Sequence, residues 1–92
     1  MTTWTRDELE DAFATYRAAA DHGAATDDWS RFAEMFTEDC TYLEHLLGEM
    51  HGRSEVLEFY TRSMVQDYPG NCIAEFPIGW WIIDEARGWI VF

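Results

Sequence analysis

The stretch that decides the fold is Glu38-Asp39-Cys40-Thr41-Tyr42-Leu43-Glu44-His45-Leu46-Leu47-Gly48-Glu49-Met50-His51-Gly52-Arg53. It begins where one helical pattern ends, and it ends where another begins. Its middle is typical of a β-strand, whose side chains alternate between two faces. The two sets are Tyr42, Glu44 and Leu46 on one face and Leu43, His45 and Leu47 on the other. Both faces are largely apolar, so we expect cover on both sides of the strand. A carboxylate at Glu44 must then be solvated, be paired or line a cavity, because burying it unpaired is costly.

The composition predicts one small domain with a hydrophobic core. The 92 residues are 48% hydrophobic and 16% aromatic, which is too apolar for a disordered chain. The net charge of −12, from 18 acidic and 6 basic residues, argues against binding to nucleic acid or to an anionic membrane surface. We find neither an apolar run of about 18 residues nor a basic-then-apolar leader. We therefore expect a cytoplasmic protein that does not enter the membrane.

Three helices are predicted from apolar spacing and capping signals. Residues 5–8 have the form of a capping box that starts the first helix, and Gly23 is expected to end it in a left-handed conformation. The second helix is expected to start at residues 26–28, and Ser54 is expected to cap the third. The predicted inner faces are Leu9, Ala12, Phe13, Tyr16 and Ala20, then Trp29, Phe32, Ala33 and Phe36, then Val56, Leu57, Tyr60 and Met64.

The last third of the chain is predicted to be β-structure. Residues 71–84 alternate as a strand with apolar side chains on both faces, and Pro77 and Gly79 indicate a bend. Residues 84–88 are typical of a hairpin loop with a left-handed glycine. The chain ends at Phe92 within an apolar strand pattern, so we expect further strands beyond it and an incomplete single domain over residues 1–92. Two large apolar faces also predict a homodimer through this sheet.

Helices early in the chain and strands late in it indicate the α+β class, with helices packed on a curved antiparallel sheet. Such a sheet, closed by helices, forms a cone-shaped α+β barrel with an interior pocket of apolar walls and a few polar groups. His22, His45 and His51 match no metal-binding spacing, so we expect no bound metal. The sequence also contains no nucleotide-binding motif, so we expect no cofactor.

The sequence resembles the nuclear transport factor 2-like superfamily, and within it the SnoaL-like and ketosteroid-isomerase-like branch. The resemblance spans roughly residues 5 to 65. The residues that carry it are Ala14-Thr15-Tyr16, Trp29-x-x-Phe32-x-x-Met35-Phe36-Thr37-Glu38-Asp39-Cys40-Thr41-Tyr42, His51-Gly52-Arg53-Ser54-Glu55 and Phe59-Tyr60. It implies a conical pocket and a dimer, on a fold that hosts several activities.

The resemblance also implies a set of catalytic residues. Glu44 stands where the isomerases keep an aspartate base, Tyr16 matches their oxyanion-stabilising tyrosine, and Tyr60 matches a supporting phenol. Their third phenol falls on Phe36. His45 is a further acid–base candidate, by similarity to the dehydratases of this fold. The expected walls of the substrate pocket are Trp29, Phe32, Phe36, Tyr42 and Phe76.

The expected function is binding of a small, mostly apolar molecule, with proton transfer or hydration as the chemistry if the protein is an enzyme. Such an enzyme would be of the isomerase, dehydratase or cyclase type. One alternative is a non-catalytic binding or dimerisation module. Another is an epoxide-hydrolase-like enzyme, in which Tyr42 and Glu44 stand at the places of water-positioning groups.

Overall fold

The computed structural model describes residues 3–92, which form helices and two short antiparallel sheets. The α+β class is therefore confirmed. In chain order the elements are α1 (Arg6–Thr26), α2 (Ser30–Ala33), β1 (Thr41–Glu44), β2 (Gly48–His51), α3 (Arg53–Thr61), a π-helical turn (Arg62–Gln66), a 3-10 turn (Gly70–Cys72), β3 (Ile82–Asp84) and β4 (Trp89–Val91).

Helix α1 begins as predicted and ends later than predicted. Thr5 is the N-cap, and its Oγ1 accepts a hydrogen bond from the backbone N–H of Glu8 at 3.1 Å. The helix passes through Gly23 and ends where Asp27 adopts a left-handed φ of 63°. The prediction that Gly23 ends the helix was therefore wrong. A glycine is found there because the Trp29 ring packs closely against the helix backbone. A Cβ at Gly23 would lie 2.6 Å from the indole ring of Trp29.

The other two helices also differ from the predictions. Helix α2 is a single turn, and the Asp28 carboxylate accepts a hydrogen bond from the Ser30 N–H at 3.0 Å at its start. Helix α3 has Gly52, at φ 88°, as its N-cap residue, so Ser54 lies inside the helix and does not cap it. Arg53 instead anchors the start of α3, because its Nε donates to the Phe36 carbonyl at 2.8 Å.

The stretch that decides the fold forms a hairpin and not one continuous strand. Strands β1 and β2 pair antiparallel, with Tyr42 opposite Met50 and Glu44 opposite Gly48. Gly48 turns the chain at φ 110°, and residues 45–47 form the loop. Tyr42 and Glu44 share the half-buried face, as predicted. The expectation of cover on both faces is not met within one chain, since Leu43 is 72% exposed.

The C-terminal β-structure is shorter than predicted. Strands β3 and β4 form the expected hairpin, with Ile83 opposite Ile90 and Gly88 left-handed at φ 69°. Residues 73–81 form no strand, which corrects the prediction of a bent strand over residues 71–84. A strand needs a ladder partner, Pro77 has no N–H to donate, and no other strand of the described chain lies alongside this segment. The expected single curved sheet is therefore present only as two separate hairpins.

The core lies where α1, α2 and α3 meet. Ala19, Trp29 and Phe32 are its most buried cluster, and Tyr60 of α3 packs against it. The ring centroid of Trp29 lies 5.4 Å from that of Phe32 and 5.0 Å from that of Tyr60. The predicted inner faces of the second and third helices thus meet in one aromatic core.

We predict that Gly23→Ala destabilises the protein, although alanine favours helix more than glycine does by about 1 kcal/mol. The added Cβ would lie 2.6 Å from the Trp29 ring, and overpacking of this kind costs about 1–3 kcal/mol. Urea unfolding measures the change in the free energy of unfolding. The same substitution in a Trp29→Leu background should be stabilising, because the clash is then absent. A stabilising Gly23→Ala in the wild-type background would refute this packing.

Candidate functional site

The main cavity lies between α1, the segment of residues 73–80 and the aromatic core. Its volume is about 890 Å³. Of the residues predicted to line a substrate pocket, Trp29, Phe32 and Phe76 line this cavity. Phe76 belongs to the segment without strand structure, and its ring meets that of Trp29 edge-on at 6.1 Å. The cavity therefore has aromatic walls supplied by two different parts of the chain.

Two tyrosines predicted as catalytic, Tyr16 and Tyr60, line the same cavity. Tyr16 lies on the inner face of α1, and its ring is 5.1 Å from that of Phe32. Tyr60 comes from α3, and its ring is 4.7 Å from the same phenylalanine. Helical spacing aims both phenols at the core, and Phe32 lies in contact with both of them.

A third phenol joins this pair from strand β1. The Tyr42 and Tyr60 hydroxyl oxygens are 2.6 Å apart, a short hydrogen bond between partly buried groups. Tyr42 itself does not line the main cavity. Phe36 also lies outside it, and with Tyr16 it lines a smaller cavity of about 230 Å³. The resemblance placed the third phenol of the isomerase network at Phe36, which has no hydroxyl. In the structure Tyr42 supplies a third phenol instead.

The buried phenols resist ionisation. Burial, followed by the electrostatic effect of the Tyr42 phenol, raises the pKa of Tyr16 to about 12. Burial also raises the pKa of Tyr60, and the hydrogen bond to Tyr42 and the charge of Glu44 act in the same direction. At neutral pH both side chains are protonated, so they present O–H groups and not phenolates to the cavity.

Glu44 lies near this network but does not line the cavity. Its carboxylate accepts hydrogen bonds from the N–H groups of Leu46 at 3.1 Å and Leu47 at 2.8 Å. These bonds stabilise the hairpin loop, and the side chain remains 24% exposed. The structure therefore brings Tyr16 and Tyr60 into the cavity and leaves Glu44 beside it.

His45 lies in the hairpin loop and not on the opposite strand face from Glu44. Its Nδ1 is 3.4 Å from Glu44 Oε1, and its side chain is 84% exposed. The sequence missed this contact because the strand was predicted to continue to Leu47. The positive-φ turn at Gly48 ends it at Glu44 instead. The two residues form an imidazole–carboxylate pair outside the cavity.

The cavity also contains polar residues that the sequence analysis did not select. Arg17 and Asp21, one turn apart on α1, line it together with Glu75. The signal that could have found the first two is their helical spacing beside Tyr16 and Ala20. In residues 3–92 no group of three or more His, Cys, Asp or Glu side chains is placed to hold a metal ion. Over the same residues, every helix is too short or too polar to cross a bilayer.

A protein-family model matches most of the chain. A family model described as the SnoaL-like domain matches residues 1–76. The comparison with curated proteins gave no match, and neither did the comparison with solved structures. The match agrees with the α+β architecture. The chain therefore belongs to the SnoaL-like domain family, within the nuclear transport factor 2-like superfamily.

Proposed function

We propose that the chain binds a small, mostly apolar molecule in the main cavity. The observation that carries this proposal is a space of about 890 Å³ with aromatic walls. Cavities of roughly 300–1,000 Å³ with apolar walls and a few polar groups are typical of small-molecule sites. Membership of the SnoaL-like family supports the same function at a coarser level.

The phenols supply the polar part of this proposed site. When two hydroxyls form a hydrogen bond, one donates to the other, and the second O–H is left to donate elsewhere. Tyr60 and Tyr42 are such a pair, and Tyr16 adds a further O–H at the cavity wall. Tyr60 is protonated at neutral pH, since an ordinary tyrosine has a pKa of about 10 and burial raises that of Tyr60 further. The ligand that fits is an apolar molecule with at least one acceptor oxygen.

A ligand panel of steroids, terpenoids and polyketides tests this proposal by thermal shift. A ligand present at about 100 times its Kd stabilises the folded state by about 2.7 kcal/mol, which is several degrees in Tm for a domain of this size. We predict that Ala20→Phe abolishes the shift, because Ala20 lines the cavity and the larger ring fills it. Ala18→Phe is the matched control, since Ala18 is exposed on the same helix. If no panel member shifts the wild-type Tm, or if Ala20→Phe leaves the shift intact, binding in this cavity is refuted.

Proton transfer is the second candidate function, and the placement of Glu44 beside the phenol network favours it. The carboxylate lies near enough for its charge to contribute to the raised pKa of Tyr60. In this proposal Glu44 is the base, the phenols of Tyr16 and Tyr60 stabilise an enolate oxygen, and His45 assists the carboxylate. The reaction requires the substrate to extend from the cavity towards the end of β1.

We predict that Glu44→Gln lowers turnover by roughly 10²-fold or more, once a substrate has been found, because the amide cannot accept the proton. The fold should survive, since glutamine keeps an oxygen that can accept from the Leu46 and Leu47 amides. Tyr16→Phe should also slow the reaction. Normal turnover in Glu44→Gln, combined with inactive Tyr42→Phe or His45→Gln variants, would support a hydrolase- or dehydratase-like arrangement instead.

We also propose that two copies of the chain associate through the C-terminal hairpin. Several large apolar side chains of this region are exposed, among them Trp80, Ile82 and Trp89, each at 59–60%. Exposed apolar surface contributed by several large side chains of one region is typical of interfaces. The partner in this proposal is a second copy, because an exposed hairpin edge suits pairing with the same edge of another chain.

We predict a homodimer in sedimentation equilibrium at micromolar concentration. Ile82→Glu should shift the protein towards monomer, because it places a charge in the apolar patch. Leu43→Glu is the control, since Leu43 is also apolar and exposed, at 72% against 60% for Ile82, but belongs to the other sheet. A wild-type protein that sediments as a monomer would count against the interface.

A further inference from the structure

Arg17 contacts two aromatic rings at the wall of the main cavity. Its Cζ lies 5.0 Å from the ring centroid of Phe13 and 4.9 Å from that of Trp81. The two ring centroids are themselves 5.6 Å apart, so both rings contact the guanidinium from one side. Cation–π attraction stabilises the charged group there. The rings therefore hold a charged donor at the cavity wall and leave its other side for another group.

The buried part of Arg17 has no acceptor in the described chain. Its Nε is buried and forms no hydrogen bond within residues 3–92. Arg17 forms no ion pair with any carboxylate of those residues, whereas Arg6 and Arg87 each form one. What distinguishes Arg17 is the buried Nε without an acceptor. A buried donor left without an acceptor is costly, more so when it is charged.

Trp29, another residue of the cavity wall, has a second unmatched donor. The residue is 2% exposed, and its indole Nε1 is buried with no acceptor in the described chain. Its six-membered ring faces Gly23, so the N–H lies on the opposite edge of the indole. Arg17 and Trp29 thus line one cavity, and each has a buried N–H without an acceptor in residues 3–92. An acceptor oxygen that reached these N–H groups would satisfy them.

We infer that the ligand is an aromatic or alicyclic carboxylic acid whose carboxylate is bound by Arg17. The inference rests on the proposed binding function and specifies its ligand class. A carboxylate is favoured over a neutral carbonyl because guanidinium is always charged and charge-assisted hydrogen bonds are about twice as strong. The other charged groups of the cavity, Asp21 and Glu75, are both exposed, so solvent screens their repulsion.

Two matched probes test this inference by calorimetry. 2-Naphthoate carries the carboxylate, and 2-acetonaphthone presents a neutral carbonyl on the same ring. The wild-type protein should bind 2-naphthoate at least about tenfold more tightly than the ketone. Arg17→Leu should bring the two affinities to within about twofold of each other while the affinity for the ketone hardly changes. Arg31→Leu, which removes the same charge from an exposed site outside the cavity, should keep the wild-type preference.

Nitrogen-15 NMR of the wild-type protein gives a second readout that needs no variant to fold. The Arg17 Nε–H and Trp29 Nε1–H resonances should move on addition of 2-naphthoate, and the arginine signal should move much less with 2-acetonaphthone. If the ketone binds equally well, or if Arg17→Leu retains the preference, the inference fails and the binding proposal stands. If neither probe binds, the inference fails, and the thermal-shift panel decides the binding proposal separately. A purely structural role for Arg17 predicts lower stability in Arg17→Leu with an unchanged affinity ratio, which would also overturn the inference.

Discussion

The packing of the Trp29 indole against the backbone of Gly23 is the contact on which the rest of the structure depends. A side chain at position 23 would occupy the space of the ring, since its Cβ would lie 2.6 Å away. Helix α2 has only four residues and cannot be stable alone, so tertiary contacts of this kind position it against α1. Tyr60 of α3 and Phe76 of the irregular segment then pack on the same indole, at 5.0 and 6.1 Å between ring centroids. One ring therefore links three helices and one wall of the cavity.

The cavity wall carries donors on four side chains as well as the exposed carboxylates of Asp21 and Glu75. Tyr16 and Tyr60 are protonated at neutral pH, and burial raises the pKa of each phenol further. Arg17 and Trp29 add N–H groups that find no acceptor in residues 3–92. The nearby carboxylate of Glu44 is already bound by two backbone amides of its own loop. The cavity is accordingly suited to the oxygen-bearing end of an apolar molecule. Any proton transfer would take place at its edge, where Glu44 is found.

Some features that depend on local sequence were predicted correctly, although Gly23 does not end α1 and Ser54 does not cap α3. The Thr5 cap of α1 and the hairpin with a left-handed Gly88 arise from contacts between residues a few positions apart. Helical spacing likewise placed Tyr16 and Tyr60 on inner faces, and both reach the cavity. The position of Glu44 was predicted only in part. The alternation of side chains predicted the face of β1 that carries Glu44. It does not show that the strand ends at Glu44 or that the carboxylate accepts hydrogen bonds from the following loop.

The sequence by itself determined the α+β class, the family and the aromatic character of the core, because these follow from apolar spacing and short motifs. Only the tertiary structure decided which polar groups meet at the cavity. The 2.6 Å contact between the phenols of Tyr42 and Tyr60 joins residues 18 positions apart, and no local pattern encodes it. The same holds for Arg17, whose guanidinium lies 4.9 Å from the Trp81 ring of the C-terminal region. Strand formation over residues 73–81 is likewise non-local, since backbone hydrogen bonds of a sheet require a neighbouring strand.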